Sequence, residues 1–226
     1  MKPSFRLEPF LRGACCVAVL LGLLAGVPGE AAPAARPQVW AQPVDTSFNL
    51  YRMSPTLYRS ALPDQSDVPL LDRLRVQTVV SFIKDDDRQW LGELPVNLVS
   101  LPMHADRVDD ADVLKVLRTL QGAERNGPVL MHCKHGRDRT GLFAAMYRTV
   151  IQGWSKEEAL QEMQQGGFGD PKHMDDAVAY VRDADIPALR KALASGECST
   201  TLFASCQVGE WLTSLVTPAE ANAASR

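Results

Sequence analysis

From Leu57 onward, apolar and polar positions follow two alternating periods. The segment "TLYRS" reads as a short strand and "SDVPLLDRLRV" as a helix opened by Ser66 or Asp67. "QTVVSFI" is apolar and β-branched, the pattern of a buried strand, and "VNLVSL" is the next one. Val113, Val116, Leu117 and Leu120 then fall on one face of a helix that is predicted to end near Asn126 and Gly127. "PVLMH" follows as a short apolar strand. Beyond a glycine-containing turn, Leu142, Ala145, Met146 and Thr149 continue a helical stripe until Gly153 breaks it. "SKEE" starts another helix, with Ser155 and Glu158 spaced as a capping box, and a further helix covers His173 to Arg182.

Strands alternating with helices predict an α/β fold of three layers, a mostly parallel central sheet flanked by helices. Ligands of such sheets bind outside the carboxyl ends of strands. Cys133 stands at such an end, directly after "PVLMH".

The flanking segments read differently. Lys2, Arg6 and Arg12 precede an apolar stretch from Ala14 to Val27, and small residues follow near Ala34 and Ala35, which is the pattern of a secretory signal peptide over residues 1–35. The apolar run is shorter than the roughly 20 residues of a membrane-spanning helix, so membrane contact is expected only through an uncleaved signal. Residues 36–54 read as a linker or surface arm, 55–195 as the single folded domain and 196–226 as a tail. The 226-residue chain has a formal charge of -3 and no block of basic residues, so nucleic acid is not an expected partner. An exported protein, periplasmic or secreted, is expected. Removing Cys15 and Cys16 with the signal leaves Cys133, Cys198 and Cys206 of the five cysteines. In an oxidising compartment Cys198 and Cys206 either pair, leaving Cys133 as a free thiol, or both stay reduced.

The stretch "HCKHGRDRTG", residues 132–141, carries the chemistry. A turn from strand to helix exposes N-H groups that lack intrahelical partners, and the helix dipole adds positive potential there. Gly136 permits a backbone that aims successive N-H groups inward. Arg139 adds a planar fork that grips two phosphate oxygens. A cysteine at a helix N-terminus beside cations ionises more readily, so a thiolate is expected at Cys133, a nucleophile aimed at phosphorus. The cradle consists of Lys134, His135, Gly136, Arg137, Asp138 and Arg139. Thr140 either offers its hydroxyl to the sulfur or serves as an ordinary first-turn residue.

These residues resemble the signature of the cysteine-dependent protein tyrosine and dual-specificity phosphatases: His-Cys, five residues, Arg, Thr or Ser, Gly. "LYRSALPDQSDVPLLDRLRVQTVVSFI" and "EEALQEMQQGGFGDPKHMDDAVAYV" resemble flanking segments of the compact atypical dual-specificity phosphatases of plant and fungal type and their bacterial relatives. The likeness spans residues 57–182. It implies the protein tyrosine phosphatase fold and a two-step reaction with no metal or other cofactor, on a phosphorylated protein or small phosphorylated substrate. Cys133 takes the phosphoryl group, Arg139 and the loop N-H groups stabilise its oxygens, and water then releases phosphate. The resemblance also implies an aspartate acid from the loop "LPMHADRVDDADV". Asp106 is the choice, because Asp109, Asp110 and Asp112 are better placed to cap the next helix. The Trp-Pro-Asp form of the tyrosine phosphatases is missing from this loop. His132 is expected to hydrogen-bond around the cradle.

Alternatives remain at this level. Lys134, His135 and Arg137 either favour an inositol polyphosphate or phosphoinositide or form an exposed charged turn. A phosphate-binding module without turnover is a second alternative, and arsenate reduction or sulfur transfer a third. "KDDDR", Lys84 to Arg88, reads as a solvated turn on the rim of the site. The spacing of His132, Cys133 and His135 fits no common zinc pattern.

Overall fold

A computed structural model of the chain describes residues 39–201 and residue 206; the expected signal peptide lies outside the described residues, as does most of the tail. Among them run the strands β1 (Gln42–Asp45), β2 (Leu50–Arg52), β3 (Leu57–Ser60), β4 (Thr78–Ser81), β5 (Asn97–Ser100) and β6 (Val129–His132). The helices are α1 (Val68–Arg73), α2 (Arg88–Leu91), α3 (Asp110–Glu124), α4 (Arg139–Met146), α5 (Lys156–Gln165), α6 (Asp175–Asp183) and α7 (Ile186–Ser195).

One six-stranded sheet has the order β1-β2-β3-β6-β4-β5. β3, β6, β4 and β5 run parallel, while β1 and β2 join as an antiparallel edge. This is the mostly parallel sheet the alternating pattern predicts. Strand β6 is central, and its register sets Ser60, His132 and Ser81 side by side at the carboxyl edge. The chain after His132 therefore emerges between two neighbours that end at the same level.

Period-two alternation along the buried strands feeds two cores. Tyr58, Val79 and Leu130 pack with Phe48, Leu71 and Trp90 on the α1–α2 side. Leu57, Val80 and Met131 face the opposite way, against Leu117, Leu142, Phe143, Val178 and Leu189 from the α3–α7 layer. Helix α3 opens with a capping box between Asp109 and Asp112, and α5 with one between Ser155 and Glu158.

Three departures from the sequence pattern matter for function. The stretch 36–54 is not simply a linker: residues 42–52 form the β1–β2 hairpin, with strands too short for alternation to reveal. Its turn holds Asn49 at φ 59, a left-handed conformation that asparagine tolerates better than most residues. The stripe after the signature runs past Met146 into a π-helical turn, Tyr147–Ile151. The segment 171–173 is a separate 3-10 turn before α6, and α7 adds a helix beyond the last predicted one.

Candidate active site

The residues after β6 form a loop, 134–138, that ends at the first turn of α4. Gly136 has φ +70, and a Cβ there would meet Ala61 N at 2.5 Å and Ser60 O at 2.6 Å. The loop thus lies directly on the carboxyl end of β3, closer than any side chain permits. Ala61 is itself fixed, its N-H donating to Phe48 O at 2.9 Å.

Side chains from outside the signature hold the loop carbonyls. Asn49 Nδ2 donates to His135 O at 3.0 Å and to Phe168 O at 2.9 Å. Arg59 Nη2 donates to Gly136 O at 2.8 Å. Tying those carbonyls outward leaves the amides of the loop and of the α4 N-terminus to serve an anion. Tyr51 OH donates to Gly167 O at 3.1 Å, and the Tyr51 ring packs edge-on against Phe168. The hairpin and the segment after α5 are therefore parts of the site.

Cys133 is a free thiol, 1% exposed at the base of this loop. Arg139 Nη1 donates to Phe82 O at 2.9 Å and Met103 O at 3.3 Å, which pins one end of its guanidinium to the chain after β4 and β5. A cavity of about 210 Å³ opens beside it, lined by Phe82, Ile83, Pro102 and Met103 with Lys84 and Lys134. A second cavity of about 300 Å³ brings Asp106, His104, Asp138 and Asp176 to Arg139.

Asp106 sits on a 3-10 turn, exposed, with Arg107 as its ion-pair partner at 3.6 Å. The other acids of that loop are engaged. Asp109 and Asp112 close the capping box, and Asp110 accepts from Tyr180 OH at 2.6 Å and from the Thr200 hydroxyl. Thr140 Oγ1 is buried and has no hydrogen-bond partner. Burial, then the charges of Arg137, Lys134, Arg139 and His173, push the His135 imidazole below the usual histidine range, a sign of the positive field at the loop. Burial raises Asp138 above the usual carboxylate range despite Arg139.

Two buried residues beside the loop escape a sequence reading. Within "KDDDR", Asp87 is 5% exposed, so the solvated-turn reading is wrong at that position. His132 Nε2 donates to Asp87 Oδ2 at 3.1 Å and Trp90 Nε1 donates to its Oδ1 at 3.0 Å. Burial opposes ionisation of Asp87, but the bonds from His132 and Trp90 outweigh it and hold the carboxyl below its ordinary value. The turn after β4 folds inward as it starts α2, and no local pattern marks which of three aspartates goes under. Arg59 is the other: an arginine in a strand reads as an edge residue, yet it is 1% exposed. Cys198 and Cys206 form a disulfide with a Cα–Cα distance of 6.2 Å. Among the described residues no group of three or more metal-ligating side chains gathers.

Comparisons with known proteins agree with this geometry. The model of the "Tyrosine phosphatase family" matches residues 46–196. The chain is 68% identical over 197 residues to the dual specificity protein phosphatase TpbA of Pseudomonas aeruginosa strain UCBPP-PA14, covering 86% of this chain and 90% of that protein. A crystal structure of P. aeruginosa TpbA in complex with pTyr superposes with a TM-score of 0.71 at 70% identity, covering 72% of this chain and all of that one. An inositol diphosphatase of Arabidopsis thaliana is 29% identical over 153 residues, 62% of this chain and 71% of that protein. The family match runs from the hairpin turn through the signature loop to the helices behind it, so the chain belongs to the tyrosine phosphatase family, as a cysteine-dependent phosphatase of dual-specificity type.

Proposed function

We propose that this protein is an exported phosphatase that hydrolyses phosphotyrosine and related phosphate monoesters on proteins through a phosphocysteine intermediate. The observation that carries the reading is the Arg139 guanidinium, shared by two cavities: one bordered by Pro102 and Met103 with Lys84 and Lys134, one holding the exposed Asp106 carboxyl. The Cys133 thiolate attacks phosphorus while the bond to the leaving oxygen breaks, and Asp106 gives that oxygen its proton. Arg139 and the loop amides hold the three equatorial oxygens throughout. A water then attacks the phosphocysteine and loses its proton to Asp106, as Thr140 Oγ1 donates to the departing sulfur. Gly136, seated on β3, keeps the loop in place, whereas His132 bonds Asp87 and its buried Nδ1 has no hydrogen-bond partner, so it does not hydrogen-bond around the cradle as its sequence suggested.

Phosphotyrosine is favoured by Pro102 and Met103 beside Arg139, and by the relative crystallised with pTyr. A second reading, an inositol polyphosphate, draws on the cations Lys84, Lys134 and Arg137 and on the Arabidopsis relative. Export is supported by the basic and apolar pattern of residues 1–35 and by the Cys198–Cys206 disulfide, a bond that persists in oxidising compartments. The test measures kcat/KM on a phosphotyrosine peptide and on an inositol polyphosphate, for wild type and Cys133→Ser. We expect preference for the peptide and no turnover by the variant. Turnover by Cys133→Ser refutes the nucleophile, and preference for the inositol compound refutes the substrate class.

A further inference from the structure

Two arginines are buried behind the signature loop, and they are treated differently. Arg148, 2% exposed, has a full carboxylate partner: Nε and Nη2 donate to the two oxygens of Glu162 at 2.8 Å each, and Nη1 donates to Gln152 Oε1 at 2.7 Å and Met53 O at 3.2 Å. Such an arginine is matched within the structure.

Arg59 is not. Among the described residues no ion pair joins it to a carboxylate. Its Nε is buried without a hydrogen-bond partner. It keeps the Gly136 O bond and the face of the Phe168 ring, 3.6 Å from the guanidinium carbon. A Cβ built on Gly141, in the first turn of α4, would lie 3.7 Å from its Nη2. The guanidinium therefore lies beneath the loop and the start of α4, on the side away from solvent.

The charged groups that bear on Arg59 are Glu162 from α5, Cys133 from the loop, Arg148 from the π turn and Tyr51 from β2. Burial pushes Arg59 down to about 10, with Glu162 first and Cys133 second among the groups that resist it. Arg59, Arg148 and Glu162 leave this interior one positive charge in excess. An unmatched buried charge is costly, and Cys133 is the group after Glu162 that offsets it.

Given the reading of Cys133 as nucleophile, we infer that Arg59 is a positioning residue of the reaction: from beneath the loop it fixes the Gly136 carbonyl and balances the charge of the Cys133 thiolate. Arg139 works on the phosphate from the solvent side, and Arg59 works on the sulfur from behind.

The test follows the ultraviolet absorbance of the thiolate across pH, as the difference between each protein and its Cys133→Ser counterpart, so no turnover is needed. In Arg59→Met the ionisation step should move to higher pH, with kcat/KM on an aryl phosphate falling about tenfold or more. Arg59→Gln, neutral but polar, should move the step in the same direction and serves if the methionine variant does not fold. Arg59→Lys, which keeps the charge but not the fork, should restore most of the step's position while kcat stays low. A step unmoved in a folded neutral variant, or moved equally by lysine, overturns the inference. Full turnover by Cys133→Ser with Arg59 retained would instead strike the nucleophile on which it rests.

Discussion

Replacing Gly136 by alanine probes how closely the phosphate loop must sit on the sheet. Two costs can be worked from the geometry. Holding alanine at φ +70 costs about 1–2 kcal/mol relative to glycine. The new methyl would also stand 2.5–2.6 Å from Ala61 N, Ser60 C and Ser60 O. These are backbone atoms, and Ala61 N-H is bonded to Phe48 O, so β3 has little room to yield. Restoring ordinary contact near 3.4 Å requires a shift of nearly 1 Å, which falls mainly on the loop. A further 1–3 kcal/mol is the usual cost of such overpacking. A displacement of that size at reacting groups costs on the order of 10²-fold in rate. We therefore expect a total destabilisation of about 2–5 kcal/mol, read as a melting temperature lower by at least 4 °C at about 2–4 °C per kcal/mol. The activity on an aryl phosphate should fall about 100-fold. Thermal unfolding and steady-state hydrolysis on the same preparation check both. A variant within twofold of wild type in kcat/KM, with an unchanged melt, would show that the loop has another seat.

Asp106→Asn should lower kcat/KM on alkyl or unactivated aryl phosphates by roughly 10²-fold or more and spare strongly activated esters; equal losses on both would deny it the proton. Asp87→Asn weakens the charge-assisted bond to His132, worth about 1.5–3 kcal/mol at neutral pH. Because the Asp87 carboxyl is held below its ordinary value, that stability is present above about pH 4 and disappears as pH falls through the lower folded value. Denaturant melts at neutral and acid pH should show the gap between variant and wild type closing toward acid, and a gap that widens would refute the assignment. Asn49→Ala removes two hydrogen bonds, about 1 kcal/mol each, and places alanine at φ 59 for about 1 kcal/mol more. A melt lower by roughly 6–12 °C and a weaker kcat/KM are expected, and unaltered turnover would separate the hairpin from the site.

What the sequence made legible was whatever depends on local pattern. "QTVVSFI" and "PVLMH" are apolar because both of their faces are covered, and the helical stripe at Val113, Val116, Leu117 and Leu120 is a buried face of α3. Ser155 and Glu158 announce their capping box by spacing alone. The signature loop carries its own residue types. What stayed hidden depends on partners distant in the chain. Asp87 looks like its two neighbours until α2 turns it toward His132, and Arg59 looks solvated until Phe168 and Gly136 close over it. The hairpin is three and four residues per strand, with Pro43 in one of them. The α1 helix is shorter than its pattern, since Asp67 stands at its start without a side-chain cap bond and the helix stops at Arg73.

The amide of Asn49 spans two segments that are 86 and 119 positions away in the chain. Detachment of a small edge ribbon and loss of turnover thereby become one event. A protease that nicked the chain between β2 and β3 would silence the enzyme without touching any group that meets phosphate. A fragment starting at residue 55 would display the whole signature and hold a slack, idle loop.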